Sequence, residues 1–374
     1  MSKTKIAHII TGLNVGGAER SLHTLLQSRL NETFEHVVIS LMDEGHYGKL
    51  IRENNIRIYC LGLKRGTLKA SALYKLFRII KQEKPNILQG WMYHGNLIAS
   101  LVHPFTERTT RLFWNIRTSL DSKQDLSKSS RLVLKISKLT SRRVNTIIYN
   151  SDKSRRQHAE YGLPDHKAVT INNAFDTDFW RKSINTRARL RADLGYKHDD
   201  TIVGYVGRDN TMKDLPNLFG AMYTALIRDN TVKFLLIGRG IANKCPNNLK
   251  ENNRVKILSE RSDVNHLMSV IDIFILSSKA EGFPNVLGEA MATNVPCVST
   301  DVGDAREIIG ETGWTCVPSD SSALAIALLG ALSEPPTKRS TRGAAARRRI
   351  KNYYSSNLAI EKYTDIYTET HRSK

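Results

Sequence analysis

The chain has 374 residues, 40% of them apolar and 25% charged, which is the length and composition of a globular protein with two or three domains. A small disulfide scaffold, a disordered chain and a multi-span membrane protein are excluded. Lys and Arg number 56 against 36 Asp and Glu, and the formal net charge of +20 favours a polyanionic partner: nucleic acid, nucleotide or anionic lipid.

The chain alternates short β-branched runs with longer helical patterns. In the first half, strands are predicted at 6–10, 37–41, 56–60 and 87–91, with helices at about 18–30 and 68–82. The pattern restarts with strands at 202–206, 234–237, 255–258, 273–276 and 297–299. This βαβ order is typical of parallel sheets with helices on both faces, so we predict an α/β protein with two doubly wound, Rossmann-like domains.

A turn-rich stretch at 172–176 marks the break between the domains. We predict a first domain over 1–180 and a second over 181–352. The segment 353–374, with a helical pattern from about 357 to 371, is expected to pack back on the first domain. Four widely spaced cysteines indicate neither a zinc site nor a disulfide framework.

The N-terminal apolar run at 6–10 is broken by His8 and ends at Gly12, which indicates a strand rather than a signal peptide. No apolar stretch approaches the ~18–20 residues that a spanning helix needs, so any membrane association is expected to be peripheral.

Basic residues concentrate in the segment 108–156, which holds 13 Lys or Arg and 3 Asp or Glu. A helix is predicted over 131–142, with an apolar stripe at 132, 136 and 139 facing the core. Its other face carries Arg131, Lys135, Lys138 and Arg142. This face is either solvated or rests on anionic lipid.

Two loops that directly follow predicted strands have features of phosphate sites. In the loop 11–20, Gly16 and Gly17 open a helix, so the backbone can approach an oxyanion at the helix N-terminus. After the strand 202–206, Arg208 and Lys213 provide a planar guanidinium and a point charge for a pyrophosphate. Each loop is also compatible with an ordinary turn.

The segment after the strand 273–276 is the most specific motif. Glu281 lies in a Gly/Pro loop, and Glu289 lies about one turn into the helix that follows. Carboxylates bind vicinal hydroxyls through charge-assisted hydrogen bonds, so a polyhydroxylated ligand is expected here.

Together the Gly-Gly-Ala-Glu-Arg loop at 16–20, the Gly-Arg…Lys pair at 207–213, the Glu-x7-Glu segment at 281–289 and the block 302–307 resemble retaining glycosyltransferases of family four, which have the two-domain GT-B fold. The resemblance spans nearly the whole chain and is closest to enzymes of bacterial surface polysaccharides and lipid-linked glycans. One departure is Gly288, where the family often has a bulky aliphatic residue; Gly there is expected to loosen the helix that carries Glu289.

The resemblance implies a role for each matching position. Glu289 would hold the ribose hydroxyls, Arg208 and Lys213 the diphosphate, and Glu281 the donor sugar. The base would lie near Leu258, and Gly16 and Gly17 would close on the donor. The remaining donor contacts would be backbone amides, at Gly282, Phe283, Asn285 and Val286.

Three residues of the first domain are further candidates. His94 matches the family's active-site histidine beside the reacting sugar, and it follows the strand 87–91 and precedes a glycine. Asn115 and Arg117 follow another apolar run and either line the acceptor side or belong to the basic surface.

The resemblance implies transfer of a hexose or N-acetylhexosamine, with retention and without metal or other cofactor, from a nucleotide sugar, often a UDP-sugar. The acceptor would be a lipid-linked or polysaccharide hydroxyl, at the cytoplasmic face of the inner membrane, with the basic segment 108–156 on the lipid. An enzyme with a small soluble acceptor and a nucleotide-sugar epimerase remain alternatives. A nucleic-acid-binding protein is disfavoured, because the basic stretch is not interleaved with stacking aromatic residues.

Overall fold

The computed structural model describes residues 3–64, 67, 69–121 and 127–369. The chain forms two compact units: unit 1 is Met1–Asn173 with Ala359–Lys374, and unit 2 is Ala174–Leu358. The observed division therefore lies after Asn173, whereas the sequence placed it after 180. No helix in the described part of the chain combines the length and the apolar character that crossing a bilayer requires.

Unit 1 contains a seven-stranded parallel sheet in the order β3-β2-β1-β4-β5-β6-β7. Its strands are β1 (Lys5–Ile10), β2 (Glu35–Ser40), β3 (Arg57–Cys60), β4 (Ile87–Trp91), β5 (Arg111–Ile116), β6 (Thr146–Tyr149) and β7 (Ala168–Thr170). Its helices are α1 (Gly17–Leu26), α2 (Leu30–Thr33), α3 (Gly45–Arg52), α4 (Ala70–Glu83), α5 (Met92–Val102), α6 (Lys128–Thr140) and α7 (Asp152–Tyr161). The central strands are buried almost end to end, as a sheet covered on both faces requires.

Unit 2 contains a six-stranded parallel sheet in the order β10-β9-β8-β11-β12-β13. Its strands are β8 (Thr201–Val206), β9 (Val232–Ile237), β10 (Val255–Leu258), β11 (Ile273–Leu276), β12 (Cys297–Thr300) and β13 (Trp314–Cys316). Its helices are α8 (Ile184–Asp193), α9 (Leu215–Arg228), α10 (Ile241–Lys244), α11 (Asn247–Lys250), α12 (Val264–Met268), α13 (Asn285–Ala292), α14 (Ala305–Ile309), α15 (Ser321–Ser333) and α16 (Pro336–Tyr353). All strands predicted in both halves of the chain form, with small shifts at their ends.

The last helix, α17 (Ser356–Thr368), contributes to the core of unit 1. Tyr367 is completely buried, packs edge-on against Phe34 with ring centroids 5.4 Å apart, and donates its hydroxyl to Gln89 Oε1 at 2.6 Å. Part of the predicted 353–374 segment, including the expected helix end near 371, lies outside the described residues.

The predicted inward stripe of α6 is wrong. Leu132 and Leu139 are 59% and 68% exposed, whereas Val133, Leu134 and Ser137 are buried. The buried hydroxyl of Ser137 donates to the Val133 carbonyl at 2.8 Å, so a polar residue faces the core without an unsatisfied group.

The strand order reverses once in each sheet, between β1 and β4 in unit 1 and between β8 and β11 in unit 2. In open parallel sheets, ligands bind at the carboxyl ends of the strands that flank such a switch point. The loops after β1, β8 and β11 hold the two predicted phosphate loops and the Glu281 motif, and His94 follows β4, whereas the block 302–307 follows β12. The topology therefore gives each unit one candidate binding edge.

Candidate active site

The loop after β1 leads directly into α1. Gly16 is the extended residue before the helix, and its carbonyl accepts the Arg20 amide at 3.0 Å. The Glu19 carboxyl fills the space that a Cβ on Gly16 would take, whereas no atom of the described residues lies within 4 Å of the Cβ position on Gly17. Among these residues, the helix N-terminus is therefore unobstructed at Gly17, as an approaching phosphate requires.

His94 lies in the first turn of α5, on the other side of the β1/β4 switch point. Met92, directly after β4, has a left-handed φ of +60°, which is a strained conformation for a residue with a side chain. A Cβ on Gly95 would come within 2.5 Å of the Ile9 carbonyl oxygen, so only glycine allows α5 to start this close to β1. The tight turn leaves His94 half-buried at the binding edge of unit 1.

Asn115 and Arg117 form a polar cluster with α17 instead of lying together on an open surface. Asn115 is completely buried and donates from Nδ2 to the Tyr363 hydroxyl at 2.9 Å. Arg117 donates to Asn115 Oδ1 at 3.1 Å and to Asn173 Oδ1. Asn115 thus holds the C-terminal helix, and only the half-buried Arg117 remains partly open to solvent.

In unit 2, the loops after β8 and β11 are joined by side chains. Lys213 Nζ donates to Glu281 Oε1 at 2.6 Å, and the Ser278 hydroxyl donates to the same oxygen at 2.8 Å. The Ser277 hydroxyl donates to the Lys213 carbonyl at 2.8 Å. The side chains of Lys213 and Glu281 remain 21% and 16% exposed. The structure therefore brings together the cation predicted for the diphosphate and the carboxylate predicted for the sugar.

Arg208 and Tyr205 flank Gly207 at the end of β8. Arg208 is exposed, as a residue that reaches for an anion in solvent must be. Tyr205 is buried, and its hydroxyl has no hydrogen-bond partner among the described residues. Burial, and then the charge of Glu281, raise the pKa of Tyr205. The sequence analysis did not single out Tyr205, because in a buried strand it resembles an ordinary core residue.

Helix α13 begins at Asn285, behind the loop that carries Glu281. The Asn285 amide donates to the Phe283 carbonyl at 2.9 Å, whereas the first turn of any helix leaves other amides without intrahelical partners. Glu289 lies in the second turn and is only 3% exposed. The two predicted carboxylates therefore differ in burial: Glu281 is partly exposed, and Glu289 is buried.

Phe175 packs behind these elements. Its ring stacks on Phe283 with centroids 6.2 Å apart. Three of its ring atoms lie less than 3.0 Å from the position that a Cβ would take on Gly288. Gly288 therefore does not leave a gap where the family has an aliphatic side chain, because Phe175 fills that space from another part of the chain.

Leu258, Gly282 and Val286 complete the predicted donor set. Leu258 ends β10, and its carbonyl accepts the Gly238 amide at 3.0 Å, which places it at the binding edge of unit 2. Gly282 and Val286 are half-buried. Among the described residues, no group of three or more His, Cys, Asp or Glu side chains could hold a metal ion.

Two parallel α/β units with binding loops at their switch points define the GT-B class of glycosyltransferase folds. HepE from Anabaena, solved in complex with UDP-glucose, has the same fold: the TM-score is 0.83 at 20% identity, over 98% of this chain and 99% of that one. Residues 15–179 match Glycosyltransferase Family 4, and residues 200–334 match Glycosyl transferases group 1. The chain belongs to the family-four glycosyltransferases.

Two bacterial relatives show the range of similar enzymes. The "UDP-Gal:alpha-D-GlcNAc-diphosphoundecaprenol alpha-1,3-galactosyltransferase" of Escherichia coli is 22% identical over 98% of this chain and 97% of its own length. The "N-acetyl-alpha-D-glucosaminyl L-malate synthase" of Bacillus anthracis is 27% identical over 56% of this chain. The match covers 55% of the latter protein, little more than half of its length.

Proposed function

We propose that this protein is a retaining glycosyltransferase that transfers a hexose or N-acetylhexosamine from a UDP-sugar to a lipid-linked or polysaccharide hydroxyl. The observation that carries the proposal is the Lys213–Glu281 pair at the β8/β11 switch point, together with the buried Glu289 of α13. The E. coli relative, which is named for a diphosphoundecaprenol acceptor, supports the lipid-linked class.

The donor would lie along the binding edge of unit 2. Glu289 would accept hydrogen bonds from the ribose hydroxyls, and its burial strengthens these bonds, because little water competes for the carboxylate. Glu281 would accept from the sugar hydroxyls, and Arg208 and Lys213 would donate to the diphosphate. The nearby N-terminus of α13 adds positive potential at the same point.

The proposed reaction follows from these charges. The bond between the sugar's anomeric carbon and the diphosphate oxygen breaks, and negative charge collects on the leaving diphosphate. Arg208 and Lys213 stabilise this charge, so no metal ion is part of the proposal. The acceptor hydroxyl attacks from the face that the diphosphate leaves, and its proton passes to a diphosphate oxygen. His94 would contact the reacting sugar.

The proposed location is the cytoplasmic face of the inner membrane, where a lipid-linked acceptor is found. The enzyme would associate with anionic lipid through basic residues of the segment 108–156 and would remain peripheral.

The first experiment is a panel of nucleotide sugars, in which slow hydrolysis to free nucleotide identifies the donor. Binding of UDP by calorimetry then tests the site with Glu289→Ala and the shape-preserving Glu289→Gln. Loss of a hydrogen bond to a charged group predicts UDP affinity lower by roughly 10- to 100-fold. The exposed Glu251, changed to Ala, is the matched control. Unchanged UDP affinity in both Glu289 variants would contradict the assignment.

A further inference from the structure

Helices α4, α5 and α6 cover the same face of the unit 1 sheet and bury their inner side chains in one core. Their outer sides, with the short turn His103–Phe105 that follows α5, form what we call the α4–α6 surface. This surface exposes five large apolar side chains: Tyr74 at 64%, Leu101 at 45%, Phe105 at 61%, Leu132 at 59% and Leu139 at 68%. Phe105 packs edge-on against Phe77 of α4 with centroids 5.7 Å apart, which joins the turn to the first of the three helices.

The same surface is strongly basic. On α6 the exposed stripe consists of the two leucines and four cations, which are Lys128, Arg131, Lys135 and Lys138. On α4 the exposed stripe holds three more: Lys75, Arg78 and Lys81. The three helices contain one acidic residue, Glu83, which is buried. Within the described residues, none of these seven cations forms an ion pair with a carboxylate.

Helix α7 shows that cations without ion pairs are concentrated in only part of the basic segment. Two of its three cations are neutralised locally: Arg155 pairs with Asp165 at 2.7 Å, and Lys153 pairs with Asp121 at 3.1 Å. Within the basic segment, two cations of α7 are therefore paired, whereas the four on α6 form no ion pair with a described carboxylate. Helix α4, which precedes that segment, adds three more cations without such a pair.

We propose that the α4–α6 surface docks on an anionic lipid bilayer, with Leu132, Leu139 and Phe105 inserted at the boundary between headgroups and acyl chains. This inference rests on the proposed function and deepens it, because it specifies which surface of the enzyme faces the membrane that holds a lipid-linked acceptor. Cations draw the surface to lipid phosphates, and the apolar side chains leave water only if they enter the bilayer. A nucleic acid would neutralise the cations but would offer the two aliphatic leucines no apolar environment.

Helix α5 links this surface to the binding edge of unit 1. His94 and Leu101 are seven residues apart, so they lie on the same side of the helix and about 10 Å apart along its axis. An acceptor whose lipid tail stays in the bilayer beside Leu101 then needs to extend its headgroup by only about this distance to reach the level of His94.

The test is sedimentation of the full chain with vesicles of phosphatidylcholine alone or mixed with phosphatidylglycerol. We expect binding to the mixed vesicles only, weakened but not abolished as the salt concentration rises, because the inserted side chains are not screened. The double variant Leu132→Gln/Leu139→Gln should lower vesicle affinity by roughly tenfold or more. Its matched control is Ile184→Gln/Ile326→Gln in unit 2, at 80% and 71% exposure, which should bind as the unmodified protein does.

The charge contribution is tested with the double variant Arg131→Glu/Lys135→Glu on α6. Its control is Arg348→Glu/Lys351→Glu in unit 2, which changes the net charge by the same amount. Only the first pair should lose low-salt binding. Absence of sedimentation at low salt, or equal losses in test and control pairs, overturns the proposal. Binding to duplex DNA as tight as to vesicles, and unaffected by the leucine changes, overturns it in favour of a general polyanion site. Hydrolysis of UDP-sugar without vesicles reports on the donor site separately, so failure of either proposal is recognisable.

Discussion

Replacing Gly288 by Leu would restore the aliphatic residue that the family often has, yet we expect the substitution to destabilise unit 2. Three ring atoms of Phe175 lie less than 3.0 Å from the Cβ position, so the ring must move. Overpacking of a filled core costs about 1–3 kcal/mol. The better helix propensity of Leu returns at most about 0.8–1 kcal/mol, which is the difference between Gly and Ala. The net loss is about 0–2 kcal/mol, which for a unit of this size lowers the melting temperature by up to roughly 8 °C.

The same change should also weaken donor binding. Phe175 stacks on Phe283, which lies between the two carboxylates that we assign to the donor. A displaced Phe175 ring leaves Phe283 without its neighbour, and the loop that carries Glu281 loses support. We therefore expect a lower UDP affinity together with the lower melting temperature.

A double-mutant cycle makes the reasoning refutable. Phe175→Ala alone should cost about 3–5 kcal/mol, because it empties a buried aromatic site. Combined with Gly288→Leu, the loss should be smaller than the sum by about 0.5–3 kcal/mol, since the new side chain enters the vacated space. The control is Gly330→Leu in α15, where no atom of the described residues lies closer than 4.0 Å to the Cβ position. Strict additivity, or a Gly288→Leu protein that is stabilised as much as the control, would refute the argument.

Three further outcomes are expected. Burial lowers the pKa of His8 and of His36, the latter to about 4, so both stay neutral in the fold while the unfolded chain takes up protons below about pH 6.5. The free energy of unfolding should therefore fall as the pH drops below 6.5, with a slope that approaches about 1.4 kcal/mol per pH unit for each histidine. A melting temperature that stays the same between pH 7.5 and pH 5 would contradict this. Met92→Gly relieves the left-handed φ of +60° and should keep or raise the melting temperature while lowering kcat, because the turn that positions His94 loosens; unchanged kcat would argue against a positioning role. Tyr205→Phe removes a buried hydroxyl without a partner among the described residues and should leave stability equal or higher, so a loss above about 1 kcal/mol would point to a bond that the hydroxyl makes.

The strands could be predicted because each is a short, nearly continuous run of buried β-branched and aromatic residues. The loops that follow the switch-point strands could be predicted because glycines and charged residues interrupt those runs. The alternation of strands and helices was enough to predict two doubly wound α/β domains, and the motif at Glu281 and Glu289 was enough to name a candidate binding edge in unit 2.

The orientation of α6 could not be predicted in this way. An apolar stripe at 132, 136 and 139 satisfies helical periodicity as well as the buried stripe that includes Val133 and Leu134. The choice depends on which side of the helix packs on the sheet. The buried side includes Ser137, which hydrogen-bonds to its own helix, so the sequence pattern does not mark that side as apolar.

Contacts between distant parts of the chain were equally hidden. The Lys213–Glu281 ion pair joins residues 68 positions apart, and nothing local in either loop indicates that the two charges meet. Likewise, Gly288 seen alone is a helix weakness, and it becomes a packing requirement only when Phe175 is placed against it.

The burial of Tyr367 has a consequence for how the protein is made. Its hydrogen bond to Gln89 joins residues 278 positions apart, so the core of unit 1 is still incomplete when all seven strands of its sheet have been synthesised. At typical elongation rates, roughly 15–60 s separate synthesis of the two partners. During that interval Phe34 and Phe113 lack the aromatic ring that packs against them in the folded protein. Loss of the last dozen residues, by a premature stop or by a protease, would return the molecule to that unfinished condition.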